Sequence, residues 1–267
     1  MNRPQVMGIV NVTPDSFSDG GRLVTVEAAV AHGLRLVAQG ADILDIGGES
    51  TRPGAVPVNA AGEMARVLPV IADLRARWAG PISIDTMKPE VARAAAGATI
   101  WNDVTALGGD PHSEAVAAVL GCRVVLMHMR GEPRTMQADP HYDDVVDEVS
   151  NWLTARAETA MAAGVAREQI WLDPGIGFGK TAAHNLALTA GLDRLVASGF
   201  PVLYGASRKR VIQSIDASAV EAGDRLGGSL ALALAAARAG ASILRVHDVR
   251  ETVQALSVQA AVCASMN

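Results

Sequence analysis

The chain has 267 residues and a formal net charge of −5, which argues against a basic nucleic-acid-binding surface. Hydrophobic residues make up 49% of the chain and aromatic residues 3%, so we expect a core built mainly of Val, Leu, Ile and Ala. The longest apolar stretch, residues 226–237, is too short to span a membrane, and the first residues lack the apolar core of a signal peptide; we therefore expect a cytoplasmic protein with no membrane or nucleic-acid partner.

Short apolar segments alternate with helical patterns along the whole chain. Strands are predicted at residues 6–10, 43–46, 81–84, 99–101, 123–127, 170–172, 202–204 and 242–247. Helices are predicted at about 25–39, 60–78, from 89 onward, 112–120, 142–163, 223–239 and 248–264. Strands separated by helices form right-handed βαβ units with a parallel sheet, and eight such units can close into a barrel.

We therefore predict the α/β class and a single domain over residues 1–267 that folds as a (β/α)8 TIM barrel. The active site would lie at the carboxyl ends of the strands, because that is where the loops of such a barrel carry functional side chains. An open doubly wound sheet is the architectural alternative. The barrel is preferred because no predicted strand has the polar pattern of a sheet edge.

The sixth predicted strand runs into a loop, residues 173–180, in which glycines alternate at Gly175, Gly177 and Gly179. Glycine has no Cβ, so this pattern predicts a backbone that approaches a ligand closely. The end of the loop resembles a nucleotide-binding P-loop, but the position that this motif reserves for its first glycine is Pro174, which has no N–H to offer a phosphate. The glycine spacing also differs from the dinucleotide-binding pattern G-x-G-x-x-G.

Nearly every predicted strand ends in a polar side chain, and in a barrel these ends converge on one mouth. The residues at or near the strand ends are Asn11, Asp45, Asp85, Asn102, Met127, Asp173, Lys209, Arg245 and His247. Each alone could be a helix cap or a structural residue, but together they predict a pocket. Carboxylates, an amide and a lysine suit a planar heterocycle, whereas Arg52, Arg245, His247 and Asn11 suit an anion such as phosphate, with or without a metal ion. No cluster with the spacing of a zinc site is found.

Seven motifs carry a resemblance to a known family. They are residues 8–20 (GIVNVTPDSFSDG), 45–54 (DIGGESTRPG), 84–86 (IDT), 127–129 (MHM), 172–175 (LDPG), 207–209 (SRK) and 245–248 (RVHD). With them the chain resembles the dihydropteroate synthases of the folate pathway over nearly its whole length. The resemblance implies a transferase that condenses 6-hydroxymethyl-7,8-dihydropterin pyrophosphate with p-aminobenzoate to 7,8-dihydropteroate and pyrophosphate, and that is a target of sulfonamides.

The resemblance also implies a role for each group of site residues. The pterin would contact Asp85, Asn102, Met127, Asp173 and Lys209. The pyrophosphate would be held by Arg245, His247 and Asn11, with Asn11 acting through Mg²⁺ as cofactor. The anion or p-aminobenzoate would be met by Thr51 and Arg52, and p-aminobenzoate by Ser207, Phe17, Pro53, Phe178 and Lys180.

The chemistry needs little acid–base help, because an aromatic amine is uncharged at neutral pH and needs no base before it attacks. It is a weak nucleophile, so loss of pyrophosphate is the difficult step, and we predict SN1-like cleavage of the C–O bond. Asp85, Lys209, Arg245 and His247 are the predicted catalytic residues, with Asp19 stabilising the cation and receiving the amine. Asp19→Asn should slow the chemical step more than it weakens pterin binding.

The family usually forms homodimers through helices near the end of the chain, so a homodimer is expected. Two alternatives remain open from the sequence. One is a methyltetrahydrofolate-binding barrel, which would share the pterin-binding residues but needs no pyrophosphate site. The other is a non-catalytic pterin-binding paralogue, which would be expected to lack loop residues or Lys209.

Overall fold

The computed structural model describes residues 3–13, 25–51, 54–132 and 135–265, and in them strands and helices alternate as predicted. The strands are β1 (Gln5–Asn11), β2 (Ile43–Gly47), β3 (Ile82–Asp85), β4 (Ile100–Asp103), β5 (Arg123–Met127), β6 (Ile170–Asp173), β7 (Leu203–Tyr204) and β8 (Ile243–Val246). The helices are α1 (Val26–Ala38), α2 (Ala60–Arg77), α3 (Pro89–Ala94), α4 (Ser113–Leu120), α5 (Val145–Ala162), α6 (Ala182–Ala190), α7 (Leu192–Val196), α8 (Arg210–Gln213), α9 (Leu226–Arg238) and α10 (Val249–Ala264), with short 3-10 helices at Arg167–Gln169 and Ala222–Arg225.

Parallel pairing joins the strands in the order β6-β5-β4-β3-β2-β1-β8-β7. A further parallel bridge between Leu172 and Val202 brings the two ends of this order together. The sheet therefore forms a nearly closed barrel, which confirms the predicted (β/α)8 fold and rules out the open doubly wound sheet.

The helix boundaries follow local capping chemistry. Thr25 accepts a hydrogen bond from the backbone N–H of Ala28, as the sequence predicts for the start of α1. Asn59 and Asp144 cap α2 and α5 in the same way. Helices α6, α7 and α8 were not placed individually from the sequence; α7 and α8 have five and four residues, too short for a clear helical period. None of the helices formed by the described residues has the length and apolar character needed to cross a membrane.

Side chains fill the barrel interior in layers. One layer is apolar and consists of Met7, Ile43, Ile100, Val125, Trp171, Leu203 and Ile243. Successive side chains of a strand point to opposite faces, so residues two positions further along point inward again. Asp45, Asn102, Met127, Asp173 and Arg245 therefore form the next layer, toward the carboxyl ends of the strands. A larger apolar cluster packs the outer face of the sheet against the helices. The predicted polar residues therefore lie directly above an apolar layer of side chains.

Candidate active site

Arg245 lies at the centre of the barrel mouth, between two carboxylates. Its Nε donates to Asp45 Oδ2 at 2.6 Å, and its Nη2 donates to Asp85 Oδ2 at 2.7 Å. Both contacts cross the barrel from β8, to β2 and to β3. Asp45 was placed at the mouth by the sequence but was not expected to bind Arg245, which was predicted to hold an anion.

The buried carboxylate of Asp45 and the half-buried one of Asp85 share one guanidinium, and this bears on the protonation of Asp85. Burial raises the pKa of Asp85 to about 7, opposed by Arg245 and reinforced by the negative charge of Asp45. Burial works against the charge of Arg245, but the same two carboxylates outweigh it and raise the pKa of Arg245. The arginine thus stays charged, while the Asp85 carboxyl can hold a proton near neutral pH.

Asn102 and Asp173 present hydrogen-bonding groups from β4 and β6. The Nδ2 of Asn102 lies 3.4 Å from Asp45 Oδ2. Asp173 accepts the backbone N–H of Gly175 at 2.7 Å, and burial raises the pKa of this carboxyl to about 6 despite that bond. Together with Asp85, these side chains match an N–H-rich edge of a flat heterocycle.

Two of the three alternate glycines after β6, Gly175 and Gly179, lie against a neighbouring loop, where the sequence predicted close approach to a ligand. Gly175 has φ +67°, and a Cβ there would overlap the carbonyl oxygen of His128. Gly179 has φ +62°, and a Cβ there would overlap the carbonyl oxygen of Arg130. Both positions require a residue that tolerates the left-handed region and has no side chain. The loop after β6 is therefore packed tightly on the loop after β5.

Lys180 joins the same two loops through buried hydrogen bonds. The side chain is 3% exposed, and Nζ donates to the carbonyls of Gly175 and Phe178 at 3.0 Å and of His128 at 3.2 Å. Nζ also lies 2.9 Å from His128 Nδ1. Burial lowers the pKa of Lys180 to about 7. The sequence predicts that Lys180 lies close to p-aminobenzoate; in the structure its amine is bonded within the two loops, so a contact through the amine would require breaking these bonds.

Lys209 and Phe178 come together at the mouth. The Lys209 Nζ lies 4.2 Å from the centroid of the Phe178 ring, a cation–π contact, and its stem packs on Gly177. Met127, at the end of β5, packs against Gly175 and lines a cleft of about 820 Å³ with Val104, Met129 and Trp152. Among the residues predicted to contact the pterin, only Met127 lines this cleft.

Ser207 is bonded to His247. The Oγ of Ser207 accepts the backbone N–H of His247 at 3.2 Å and lies 3.1 Å from its Nδ1. Because the hydroxyl already accepts one bond, it is suited to donate its proton to Nδ1, which leaves the proton of a neutral imidazole on Nε2. Burial, with Arg208 and Arg245, lowers the pKa of His247 to about 3. Burial thus favours the uncharged imidazole, which can still donate a hydrogen bond from Nε2 to an anion.

Asn11 and Asp85 lie on either side of Gly47. The three residues are in register across β1, β2 and β3. A Cβ on Gly47 would lie 3.6 Å from Asp85 Oδ2 and 3.7 Å from Asn11 Oδ1. Two oxygen ligands beside a space without a side chain fit Mg²⁺, which binds few protein oxygens and takes the rest from phosphate and water. Within the described ranges, no group of three or more His, Cys, Asp or Glu side chains could hold a metal ion.

Four predicted site residues, Phe17, Asp19, Arg52 and Pro53, lie outside the described residues. Thr51 is half-buried and directly precedes two of them, in the loop that follows β2. Their predicted roles stay predictions.

One pair at the site was missed from the sequence. Arg208 forms two bonds to the Asp248 carboxylate, at 3.0 and 2.5 Å. Both residues stand in motifs quoted for the family resemblance, SRK and RVHD, but their neighbours Lys209 and His247 received the roles. Pairing between them could not be predicted because they are 40 residues apart and meet only when β7 and β8 lie side by side.

Comparison with known proteins agrees with this geometry. Residues 7–247 match the family model described as pterin binding enzyme. The chain is 49% identical to a dihydropteroate synthase of Neisseria meningitidis over 97% of this chain and 92% of that protein. It superposes on the dihydropteroate synthase of Xanthomonas albilineans with 4-aminobenzoic acid at TM-score 0.92 and 54% identity, covering 98% of this chain and 94% of that one. The Yersinia pestis enzyme in a sulfonamide drug complex gives TM-score 0.93 and 44% identity, covering 98% and 95%. The chain belongs to the pterin-binding enzyme family, among the dihydropteroate synthases.

Proposed function

We propose that the chain condenses 6-hydroxymethyl-7,8-dihydropterin pyrophosphate with p-aminobenzoate, giving 7,8-dihydropteroate and pyrophosphate. The observation that carries this proposal is the arrangement at one barrel mouth of Asp85, Asn102 and Asp173 beside Arg245 and His247. The first three suit the edge of a pterin, and the last two suit an anionic leaving group. Relatives named for this reaction share 49% of residues, so the reaction is favoured over a methyltetrahydrofolate-binding barrel or a non-catalytic paralogue.

The pterin would lie above the apolar floor of the barrel. The carboxylate of Asp173 can accept two neighbouring N–H groups of the ring, and Asn102 and Asp85 can accept or donate along the other edge. Lys209 would contact the carbonyl side. Met127 would supply an apolar wall, since it is in register with Asp173 across β5 and β6.

Departure of pyrophosphate would be helped by groups already held in place. Arg245 is charged and desolvated, so it can stabilise negative charge that develops on the leaving oxygens. His247 can donate from Nε2, because Ser207 occupies its Nδ1. These interactions favour an SN1-like cleavage, in which the pterin carries the positive charge until the amine attacks. Asp19 is the proposed stabiliser of that cation.

Mg²⁺ is the proposed cofactor, held by the amide oxygen of Asn11 near Asp85 and completed by oxygens of the pyrophosphate. When bound, it would neutralise charge on the leaving group.

The second substrate would meet Ser207, Phe178 and the loop carrying Thr51, Arg52 and Pro53, with Phe17 from the first loop. The Yersinia relative takes a sulfonamide drug, so we infer that this site is a sulfonamide target as well. Lys180 would act here indirectly, through the loop that presents Phe178.

We infer a cytoplasmic homodimer. Toward its end α10 leaves apolar side chains in solvent, with Val258 59% and Val262 54% exposed, and this supports association through the last helices.

The test measures dihydropteroate formed from the two substrates, with Mg²⁺ and with excess EDTA. Product that disappears with EDTA supports both reaction and metal. Product that still forms with EDTA supports the reaction and contradicts the role of Mg²⁺. If no product forms while the pterin still binds, the non-catalytic paralogue replaces this proposal.

A further inference from the structure

The backbone of Arg208 is held in an unfavourable conformation at the barrel mouth. Its φ is +59°, in the left-handed region that residues other than glycine, Asn and Asp rarely enter. Such a conformation persists where the surrounding structure over-determines it, and it is concentrated at functional sites.

Three neighbours hold this residue. The Asp248 carboxylate binds the guanidinium at 3.0 and 2.5 Å. Ser229 Oγ accepts the backbone N–H of Arg208 at 2.9 Å, and Arg225, itself buried, donates to its carbonyl at 3.0 Å. The side chain, the N–H and the C=O of Arg208 are therefore each fixed by a different partner.

Asp248 binds Arg208 and does not cap the helix that follows it. It is the residue before α10, where an aspartate commonly caps the helix by accepting a backbone N–H. Its side chain makes no such bond. The carboxylate is 17% exposed and points to Arg208, so the end of β8 is tied to the loop after β7.

The turn at Arg208 sends its two neighbours in different directions. Ser207 contacts His247 at Nδ1, on the side proposed for the anion. Lys209 lies over Phe178, on the side proposed for the ring and the second substrate. The conformation of one residue thus sets the spacing between the two halves of the site.

We propose that Arg208 is a positioning residue, whose ion pair with Asp248 holds the left-handed turn and so sets Ser207 and Lys209 relative to His247 for the transfer reaction. The inference deepens the proposed function and rests on it. Arg208 itself need not touch either substrate.

The test uses Arg208→Asn, Asp248→Asn and the double variant. Asn adopts the left-handed region readily, so Arg208→Asn removes the ion pair without forcing the loop to unfold. Because displacement of reacting groups by about 1 Å costs up to about 100-fold, we expect kcat to fall roughly 10- to 100-fold in each single variant, with smaller changes in KM. The kcat of the double variant should be no lower than that of the less active single variant, because both substitutions remove the same ion pair.

Arg75→Asn is the matched control. Arg75 also clamps loop carbonyls, those of Gly80 and Gly97, but before β3 and β4, at the opposite end of the barrel. It should lower the melting temperature and keep kcat within about twofold of the wild type, because it lies away from the mouth.

A second readout does not depend on turnover. Nitrogen NMR of the His247 imidazole should show Nδ1 unprotonated in the wild type and a mixture of tautomers in Arg208→Asn, although Arg208 is not a hydrogen-bond partner of the ring. A folded Arg208→Asn with wild-type kcat and an unchanged imidazole spectrum would overturn the proposal. So would additive losses in the double variant, which would mean that Asp248 acts on His247 separately. A wild type without turnover would instead refute the proposed function, and the NMR comparison would still test the positioning.

Discussion

Replacement of Lys180 by Met should destabilise the protein in a way that depends on pH. Met keeps the apolar stem and removes the amine, so the carbonyls of His128, Gly175 and Phe178 lose a buried donor. At about 1 kcal/mol for each hydrogen bond, the loss is about 3 kcal/mol where the amine is protonated and can donate to all three carbonyls. An unfolding entropy of about 2.1 cal/mol/K per residue over 267 residues converts this to a melting temperature lower by about 5 °C.

The pH dependence follows from the lowered pKa of Lys180, which burial brings to about 7. In the unfolded chain this amine has its ordinary pKa near 10.4. Between these two values the unfolded state binds more protons than the folded state, so this group makes the wild type more stable as the pH rises. The Met variant lacks the effect. The gap in melting temperature between wild type and variant should therefore widen from pH 7 to pH 9.

Lys88→Met provides the control with the opposite electrostatics. Lys88 Nζ lies 2.6 Å from Glu49 and 2.7 Å from Glu63, and although burial opposes it, these carboxylates raise its pKa. The stability that this ion pair contributes is fully present below the unfolded pKa of the lysine. The difference in melting temperature between the wild type and Lys88→Met should therefore stay constant from pH 7 to pH 9. Thermal unfolding at several pH values measures both gaps. A Lys180→Met gap that is flat or narrows over this range would refute the assignment of a buried, depressed amine.

Two further predictions concern the mouth and its loop. Asp45→Asn removes a negative charge that raises the pKa of Asp85, so the pKa of Asp85 should fall below about 7. Any limb of the kcat/KM pH profile that is due to Asp85 should then move to lower pH. An unmoved limb would contradict the electrostatic coupling of the two carboxylates around Arg245. Gly175→Ala forces a Cβ onto the His128 carbonyl at positive φ and should cost about 2–5 kcal/mol in denaturant unfolding. Gly227→Ala in α9 is the control, because a Cβ there has no atom within 4 Å, and it should stabilise the protein by about 0.5 kcal/mol. If both substitutions changed the free energy of unfolding equally, the contact between Gly175 and the His128 carbonyl would be unimportant.

Local patterns in the sequence determined the elements and the place of the site. Apolar runs bounded by turn residues specify the strands, and Thr25 and Asn59 begin helices because their side chains satisfy exposed backbone N–H groups. The alternation of side chains then carries Asp45, Asn102, Asp173 and Arg245 to the same interior layer. These features depend on neighbours in the chain, so they could be predicted without the fold, and the family motifs added the chemistry of the substrates.

Tertiary structure alone decided which polar groups meet. Arg245 is 200 residues from Asp45 and 160 from Asp85, and no local pattern indicates that it pairs with both. The glycines at 175 and 179 are explained by carbonyls of another loop, and the burial of Lys180 and of His247 by the packing around them. Protonation and partner choice depend on through-space distance and on exclusion of water, and both are set only when the barrel closes.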